Sequence, residues 1–180
     1  VILKGNTVIG ENCFIGQGCV LEDTEVGNGA KLYAVHSEDA VIGDGVKIGP
    51  FAHIRPGSVI KAGAKLGNFV EIKNSVIGEK TAVAHLTYVG DSDVGSGVNF
   101  GCGVVTVNYD GAKKSRTTIG DNAFIGCNTN LVAPVKIGNT AYTGAGSTIT
   151  KDVPDGALAV ERCETRIVEG YAYRKLKKKD

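Results

Sequence analysis

The 180-residue sequence contains no tryptophan, no methionine and no long apolar run. A membrane-spanning helix needs about 18 or more apolar residues in succession, so a membrane span is excluded. The first residues lack the basic and apolar segments of a secretory signal, and we therefore expect a cytoplasmic protein. The missing initiator methionine predicts a piece of a larger protein, with a further segment before Val1.

The chain also lacks a strong net charge, since its 20 lysines and arginines and its 19 acidic residues leave a net charge of +1. The basic tail, residues 174–180, carries +4, so the rest of the chain carries −3. A chain with a negative net charge outside its tail is a poor match for the phosphate backbone of nucleic acid, so no nucleic-acid partner is predicted. The tail is either a solvated end or a segment ordered on a partner subunit or an anionic ligand.

Cysteine and histidine patterns give no metal signal. The five cysteines are odd in number and form no C-x-x-C pair, which argues against a disulfide framework and a structural zinc site. The only histidines are His36, His53 and His85, which are widely separated in the sequence. Zinc favours closely spaced histidines, so no metal is predicted for this domain.

Glycine is abundant, with 26 residues. Aliphatic residues, many of them directly before a glycine, recur every six positions. Steps of five join some of the runs. This period is the hexapeptide signature of a parallel β-helix, a solenoid in which three hexapeptides make one coil. The predicted inward positions are Leu3, Ile9, Ile15, Leu21, Val26, Ile42, Ile48, Ile54, Ile60, Leu66, Ile72, Ile77, Val83, Val89, Val94, Phe100, Thr106, Ile119, Ile125, Leu131, Ile137, Thr143 and Ile149.

The repeat also predicts the organisation of the chain. Residues 1–150 form the all-β solenoid, and residues 151–180 form a non-repeating C-terminal arm that ends in the basic tail. Residues 107–118 interrupt the repeat with polar, turn-forming and basic residues, so they are expected to loop outwards from one corner. Such a loop is either a tolerated insertion or a carrier of binding residues.

Residues 18 apart are expected to be neighbours on adjacent coils, about 4.8 Å apart. Arg55 and Lys73 have this spacing and point the same way. Like charges facing each other in a sheet are destabilising, and only Glu71 offers a carboxylate nearby in the sequence. A bound anion would explain the pair, with arginine as a bidentate phosphate clamp; two cations extended into water would also explain it.

Five segments carry a resemblance to a known family: residues 51–57 (FAHIRPG), 67–73 (GNFVEIK), 85–91 (HLTYVGD), 108–111 (NYDG) and 131–135 (LVAPV). The chain resembles the acetyltransferase domain of bacterial bifunctional N-acetylglucosamine-1-phosphate uridyltransferase/glucosamine-1-phosphate acetyltransferases. The resemblance runs over essentially the whole chain in one register. It implies a left-handed β-helix and a homotrimer with active sites at the subunit interfaces.

The resemblance also implies a reaction. Acetyl would move from acetyl-CoA, the co-substrate, to the amino group of glucosamine 1-phosphate, on the way to UDP-N-acetylglucosamine for cell-wall and lipopolysaccharide precursors. The N-terminal uridyltransferase domain of the family is absent here, and its magnesium would belong to that domain.

The resemblance assigns the site residues by motif. His85 matches the general base; histidines have an ordinary pKa of about 6.5, which suits proton removal near neutral pH. Asn108 matches the residue beside the acceptor amine. The positions that match the family's sugar-phosphate contacts are Arg55, Lys73, Tyr88, Asn99 and Lys114. Those that match its acetyl-CoA contacts are Cys102, Tyr109, Cys127, Ala145 and Arg162.

Two of these positions depart from the family. Cys127 replaces a common serine, which would orient the acetyl group less tightly if a hydroxyl matters there. Cys102 stands where alanine is frequent, and a slot for a small residue tolerates it. Two other functions stay open: a hexapeptide acyltransferase with another amine acceptor, and a non-catalytic trimerisation scaffold.

Overall fold

A computed structural model of the protein describes residues 1–176, and residues 177–180 of the predicted basic tail lie outside the described residues. The chain winds into a left-handed parallel β-helix, as expected. Each coil contributes one short strand to each of three flat parallel sheets, called faces A, B and C. Within the described part, no helix is long and apolar enough to cross a membrane.

The three faces contain 26 strands. Face A consists of β1 (Ile2–Lys4), β4 (Val20–Glu22), β7 (Val35–Glu38), β10 (Ala52–Ile54), β13 (Glu71–Lys73), β16 (Tyr88–Gly90), β19 (Val105–Val107), β22 (Asn130–Val132) and β25 (Thr148–Ile149). Face B consists of β2 (Val8–Ile9), β5 (Glu25–Val26), β8 (Ala40–Ile42), β11 (Ser58–Ile60), β14 (Val76–Ile77), β17 (Ser92–Val94), β20 (Thr117–Ile119) and β23 (Val135–Ile137). Face C consists of β3 (Phe14–Ile15), β6 (Lys31–Leu32), β9 (Lys47–Ile48), β12 (Lys65–Asn68), β15 (Ala82–His85), β18 (Asn99–Phe100), β21 (Phe124–Ile125), β24 (Tyr142–Thr143) and β26 (Leu158–Ala159).

The core is a stack of inward aliphatic side chains. Ile54 pairs with Ile72, and Ile72 with Val89, so the same inward position repeats from coil to coil. All three side chains are fully buried, and complete burial of such a side chain contributes about 1.5–3 kcal/mol. Leu3, also predicted to point inwards, is 52% exposed because the first coil has a neighbouring coil on one side only.

The end of the solenoid differs in detail from the sequence pattern. Strand pairing continues past residue 150, because Val153 bridges to Ile137 and β26 pairs with β24. The arm then ends in a short helix, α1 (Tyr171–Leu176).

The corner between faces C and A, called the C–A corner, has unusual turns. Phe51, Phe69 and Leu86 follow one another there on successive coils with φ of 62°, 57° and 45°. This left-handed conformation disfavours bulky residues and costs on the order of 1–2 kcal/mol each. All three side chains are also exposed. An exposed apolar row on strained backbone is a feature that core packing does not explain.

Candidate active site

A polar cluster lies where face A turns into face B, at the A–B corner. Its centre is Asp91, which follows β16 and whose side chain is only 5% exposed. The ammonium of Lys73 donates to both carboxylate oxygens at 3.1 Å. Asn74 Nδ2 donates to Oδ1 at 2.7 Å, and Asn108 Nδ2 donates to Oδ2. Asn108 Nδ2 also lies 3.4 Å from Tyr88 Oη. These five residues form the Asp91 cluster.

Three successive strands of face A position this cluster. Lys73 ends β13, Asp91 follows β16, and Asn108 follows β19, so parallel pairing brings the ends of these strands to one corner. Asp91 has φ of 48°, a left-handed turn conformation that aspartate and asparagine adopt more readily than most residues. The fold therefore supplies the turn, and the turn directs a carboxylate between three donors.

The charge state of Asp91 follows from these contacts. Burial raises the pKa of its carboxyl, but hydrogen bonds from two asparagines and the ammonium of Lys73 outweigh burial. The pKa of Asp91 is therefore held below its ordinary value of 3.8. The carboxylate stays ionised at neutral pH, and it fixes the positions of Lys73 and Asn108.

We expect the stability of the protein to fall as the solution is acidified below about pH 4. The pKa of Asp91 is lower in the folded than in the unfolded state, so the unfolded chain binds more protons near that pH. The stabilisation is complete above the unfolded pKa and is lost as pH falls through the folded one. Urea unfolding between pH 7 and pH 3 measures it, and Asp91→Asn should flatten the dependence. An equally steep loss in that variant would contradict the assignment to Asp91.

Arg55 and Lys73 do not face each other as uncompensated like charges, so the repulsion expected from their spacing is wrong. Each cation has its own carboxylate: Arg55 Nη1 donates to Glu71 Oε1 at 2.8 Å, and Lys73 is paired with Asp91. The two cations are therefore compensated within the chain, and no bound anion is needed to explain why they lie side by side.

The loop between β19 and β20, residues 108–116, is hydrogen-bonded to the corner that contains the Asp91 cluster. Arg116 donates to both oxygens of Asp93, at 2.9 Å and 2.6 Å, and to the backbone carbonyl of Asn74 at 3.2 Å. The hydrogen bonds of Arg116 hold the pKa of Asp93 below its usual value. A backbone bridge pairs Tyr109 with Lys114 at the base of the loop. The loop is thus held against the scaffold at both ends.

A cavity of about 330 Å³ opens between this loop and the A–B corner. Lys114 lines it together with Lys73 and Asp91. Of the basic side chains that line the cavity, Lys114 is the one without an ion pair among residues 1–176. The cavity therefore presents one uncompensated positive charge beside a set of fixed hydrogen-bonding groups.

His85 lies at a different edge of face A. It ends β15 at the C–A corner, and its exposed ring makes no hydrogen bond or ion pair within the described chain. Strand β16 of face A lies between His85 at this edge and Asp91 at the other. An imidazole without a partner is free to accept a proton from a ligand.

Most of the residues that are predicted to contact acetyl-CoA lie along the same corner, on the coils that follow His85. Backbone hydrogen bonds join Gly103 to His85, Asn128 to Cys102, and Gly146 to Cys127, so these positions follow one another on successive coils. The guanidinium of Arg162 then donates to the carbonyl of Ala145 at 3.4 Å. The structure thus arranges four of the five predicted residues in one row: Cys102, Cys127, Ala145 and Arg162.

Two predicted residues lie apart from both groups. Asn99 is at the start of β18, in register with Ala82 rather than with His85. Tyr109 is exposed on the loop, and its hydroxyl donates to the carbonyl of Gly111 at 2.6 Å. Within one chain, the structure does not bring the predicted residues into a single pocket.

Sequence reasoning missed three residues of this region. Asp91, Asn74 and Arg116 each make hydrogen bonds that hold the cluster or its loop. A signal for Asp91 was present, since it directly follows Gly90, the residue one coil along from Lys73.

The spacing argument against paired histidines is also wrong. The interval from His36 to His53 is one coil, and the two residues pair in register on neighbouring strands of face A. Their ring centroids are 5.1 Å apart.

A solenoid of hexapeptide coils is typical of the class of hexapeptide-repeat proteins. The bacterial transferase hexapeptide model (six repeats) matches residues 39–74 and 116–151, and the hexapeptide repeat of succinyl-transferase matches residues 6–34. The chain therefore carries the hexapeptide repeat that these two models describe.

Within that class, the chain is a homologue of the C-terminal part of the bifunctional GlmU proteins, which confirms the resemblance. It is 58% identical over 98% of its length to bifunctional protein GlmU of Caldanaerobacter subterraneus subsp. tengcongensis. It is 52% identical over 99% of its length to that of Clostridium beijerinckii. The chain spans 39% of the length of each of these relatives.

Solved structures share the fold. An Arabidopsis UDP-N-acetylglucosamine acyltransferase superposes with a TM-score of 0.66 at 18% identity, over 97% of this chain and 75% of that one. LpxA from Acinetobacter baumannii superposes with a TM-score of 0.57 at 21% identity, over 89% of this chain and 67% of that one.

Proposed function

We propose that the chain transfers acetyl from acetyl-CoA to the amino group of glucosamine 1-phosphate, as the acetyltransferase part of a longer bifunctional protein. Residues 1–150 would form the catalytic solenoid and residues 151–180 its arm, in a cytoplasmic enzyme of UDP-N-acetylglucosamine synthesis. Identity above 50% to bifunctional GlmU proteins supports this. The observation that carries it is the cavity at the A–B corner, where Lys114 supplies a positive charge without a partner beside the Asp91 cluster.

The cavity suits a phosphorylated amino sugar. Lys114 is the natural partner for the phosphate, because Lys73 is already neutralised by Asp91. Arg55 is about 40% exposed and has further N–H groups to offer beyond its bond to Glu71. Tyr88 and Asn108, which lie 3.4 Å apart in the Asp91 cluster, would hold the sugar hydroxyls or the acceptor amine.

We expect Lys114→Ala to raise the KM for glucosamine 1-phosphate by about 10–30-fold, because a charge-assisted hydrogen bond contributes about 2 kcal/mol. The KM for acetyl-CoA should stay unchanged. Lys113→Ala is the matched control, since Lys113 is the neighbouring exposed lysine and does not line the cavity. Steady-state kinetics with each substrate varied in turn gives both values. Equal effects of the two substitutions would contradict a phosphate site at Lys114.

His85 is proposed as the general base. The amine nitrogen attacks the thioester carbonyl carbon, the new C–N bond forms, and the C–S bond breaks to release the coenzyme as a thiolate. The attacking nitrogen loses a proton in this step, and the unpartnered imidazole of His85 accepts it. No covalent acyl-enzyme is required.

The row along the C–A corner suits the coenzyme. Positions on successive coils are about 4.8 Å apart, so the row from His85 to Arg162 extends over roughly 19 Å. An elongated ligand lying along it would bring its thioester end to His85 and its far end to the guanidinium of Arg162. Cys102, Cys127 and Ala145 present small side chains between these ends.

The proposal includes a homotrimer. The His85 row and the cavity lie at opposite edges of face A, and Asn99 and Tyr109 lie apart from both. A second copy that packs against the C–A corner would complete the site and cover Phe51, Phe69 and Leu86, whose exposed side chains include a stacked pair of phenylalanine rings 5.3 Å apart.

The direct test is an acceptor panel. Thiol release from acetyl-CoA is measured with glucosamine 1-phosphate, glucosamine 6-phosphate, an amino-sugar nucleotide and serine. We expect release with glucosamine 1-phosphate well above the others. Preference for another amine would overturn the acceptor, and a trimeric mass without acetyl-CoA binding would favour a trimerisation scaffold.

A further inference from the structure

We propose that His36, Glu38 and His53 form a binding site for a divalent transition-metal ion of the zinc type, independent of the proposed acetyl transfer. One potential ligand atom from each residue lies within 4.8 Å of the other two. We call these three residues the His–Glu–His cluster.

The fold places the three side chains on the outer surface of face A. His36 and Glu38 are two residues apart on β7, so their side chains point to the same side of the strand. His53 is on the neighbouring strand β10, directly in register with His36. The inward residues of these strands, Val35 and Ile54, are buried and hold the backbone of the cluster rigid.

An unsatisfied nitrogen supports the proposal independently. The Nε2 atom of His53 is buried and has no hydrogen-bond partner among the residues that the structure describes. His36 Nε2 and Glu38 Oε1 are 2.9 Å apart. Buried polar atoms in folded proteins almost always have partners, so an orphaned imidazole nitrogen beside a histidine and a carboxylate indicates a missing ligand.

The donor set selects the class of ion. Two imidazole nitrogens and one carboxylate oxygen suit Zn²⁺ and its transition-metal neighbours, whereas Mg²⁺ and Ca²⁺ favour oxygen ligands. Ligand atoms around a tetrahedral zinc ion lie roughly 3.3 Å from one another, given bond lengths of about 2.0–2.1 Å. The three ligand atoms lie within 4.8 Å of one another, so binding would draw the side chains together and leave a fourth position for water.

The surrounding charges favour a cation. Glu22 pairs in register with Glu38, and Glu71 with His53, so a carboxylate residue flanks the cluster on either side. The nearby cations Lys4 and Arg55 are already bonded to these two glutamates. Glu38 is therefore the carboxylate of this group whose described partner is a histidine and not a lysine or arginine, and a divalent ion would balance its charge.

Calorimetric titration of the untagged, chelator-stripped protein with Zn²⁺ tests the proposal. We expect one ion per chain, affinity weakened 100-fold or more by His53→Ala or His36→Ala, and weakened at least 10-fold by Glu38→Gln. His85→Ala is the matched control because it removes the remaining histidine, and it should bind as the wild type does. Co²⁺ titration should give a spectrum without thiolate charge-transfer bands, since no cysteine belongs to the cluster.

Thermal unfolding gives a second readout. At a Zn²⁺ concentration 100 times the Kd, the Tm should rise by about 5–10 °C, and Glu38→Gln at the same Zn²⁺ concentration should show a smaller rise. Glu38 is partly exposed, so this variant should fold even if a histidine variant does not. Absence of stoichiometric binding, or binding unchanged in Glu38→Gln and His36→Ala, would overturn the site. A loss of oligomerisation in His53→Ala without any zinc binding by the wild type would assign the orphaned nitrogen to a subunit contact instead.

Discussion

His85→Ala is expected to lower the rate of acetyl transfer to glucosamine 1-phosphate by about 10²–10⁴-fold, the usual contribution of a positioned general base. The attacking amine must lose a proton, and the unpartnered ring at the end of β15 is the residue proposed to accept it. The loss should fall on kcat, because alanine removes the proton acceptor but leaves the cavity and the Asp91 cluster in place.

The controls separate chemistry from binding and folding. Acetyl-CoA should bind His85→Ala as tightly as the wild type, because the remainder of the row along the C–A corner is unchanged. The exposed position of His85 predicts an unchanged Tm. Free imidazole should restore part of the rate, which a purely structural role would not allow. Equal rates for wild type and variant would refute the base assignment.

The fold was predictable because one physical requirement repeats in every coil. Each coil must bury its inward side chains, and an aliphatic residue every six positions satisfies that requirement. Positions such as Ile54, Ile72 and Leu131 were placed inwards on this ground, and all are fully buried. The handedness was not contained in the period and came from the resemblance alone.

The outward side chains were harder to predict because register gives neighbours but not contacts. Lys73 is in register with Gly90, and Asp91 is the next residue along the chain, so its contact with Lys73 depends on the turn that follows β16. Arg55 instead reaches diagonally to Glu71, on the next coil, and that choice depends on side-chain direction. The rule was applied to cations alone, so Asp91 was missed, and Glu71 was noted only as a neighbour in the sequence.

The same rule, applied fully, would have found that His36 and His53 are neighbours. The interval from His36 to His53 is one coil in which one of the steps is shortened to five. By contrast, no spacing rule predicts the shared site proposed here, because residues contributed by a second copy have no fixed sequence separation. The assignments of Asn99 and Tyr109 therefore rest on the resemblance.

Asp91→Asn is expected to reduce the free energy of unfolding by about 3 kcal/mol, as expected when one partner of a buried ion pair is removed. The substitution keeps the size of the side chain and suits the left-handed turn at φ 48°. The loss of stability therefore measures the effect of removing the charge. It leaves the ammonium of Lys73, whose side chain is 18% exposed, without a counter-ion. Urea unfolding at pH 7 measures the change.

Asp93→Asn is the matched control, two residues along the chain. Asp93 is also bonded to a cation, Arg116, but the two side chains are 51% and 43% exposed. Solvent screens such a pair, so its loss should cost about 1 kcal/mol or less. A similar loss of stability in both variants would show that burial does not distinguish the two pairs. A larger loss for Asp91→Asn, with a raised KM for glucosamine 1-phosphate, would mean that this carboxylate both stabilises the coil and fixes Lys73 and Asn108 for the acceptor.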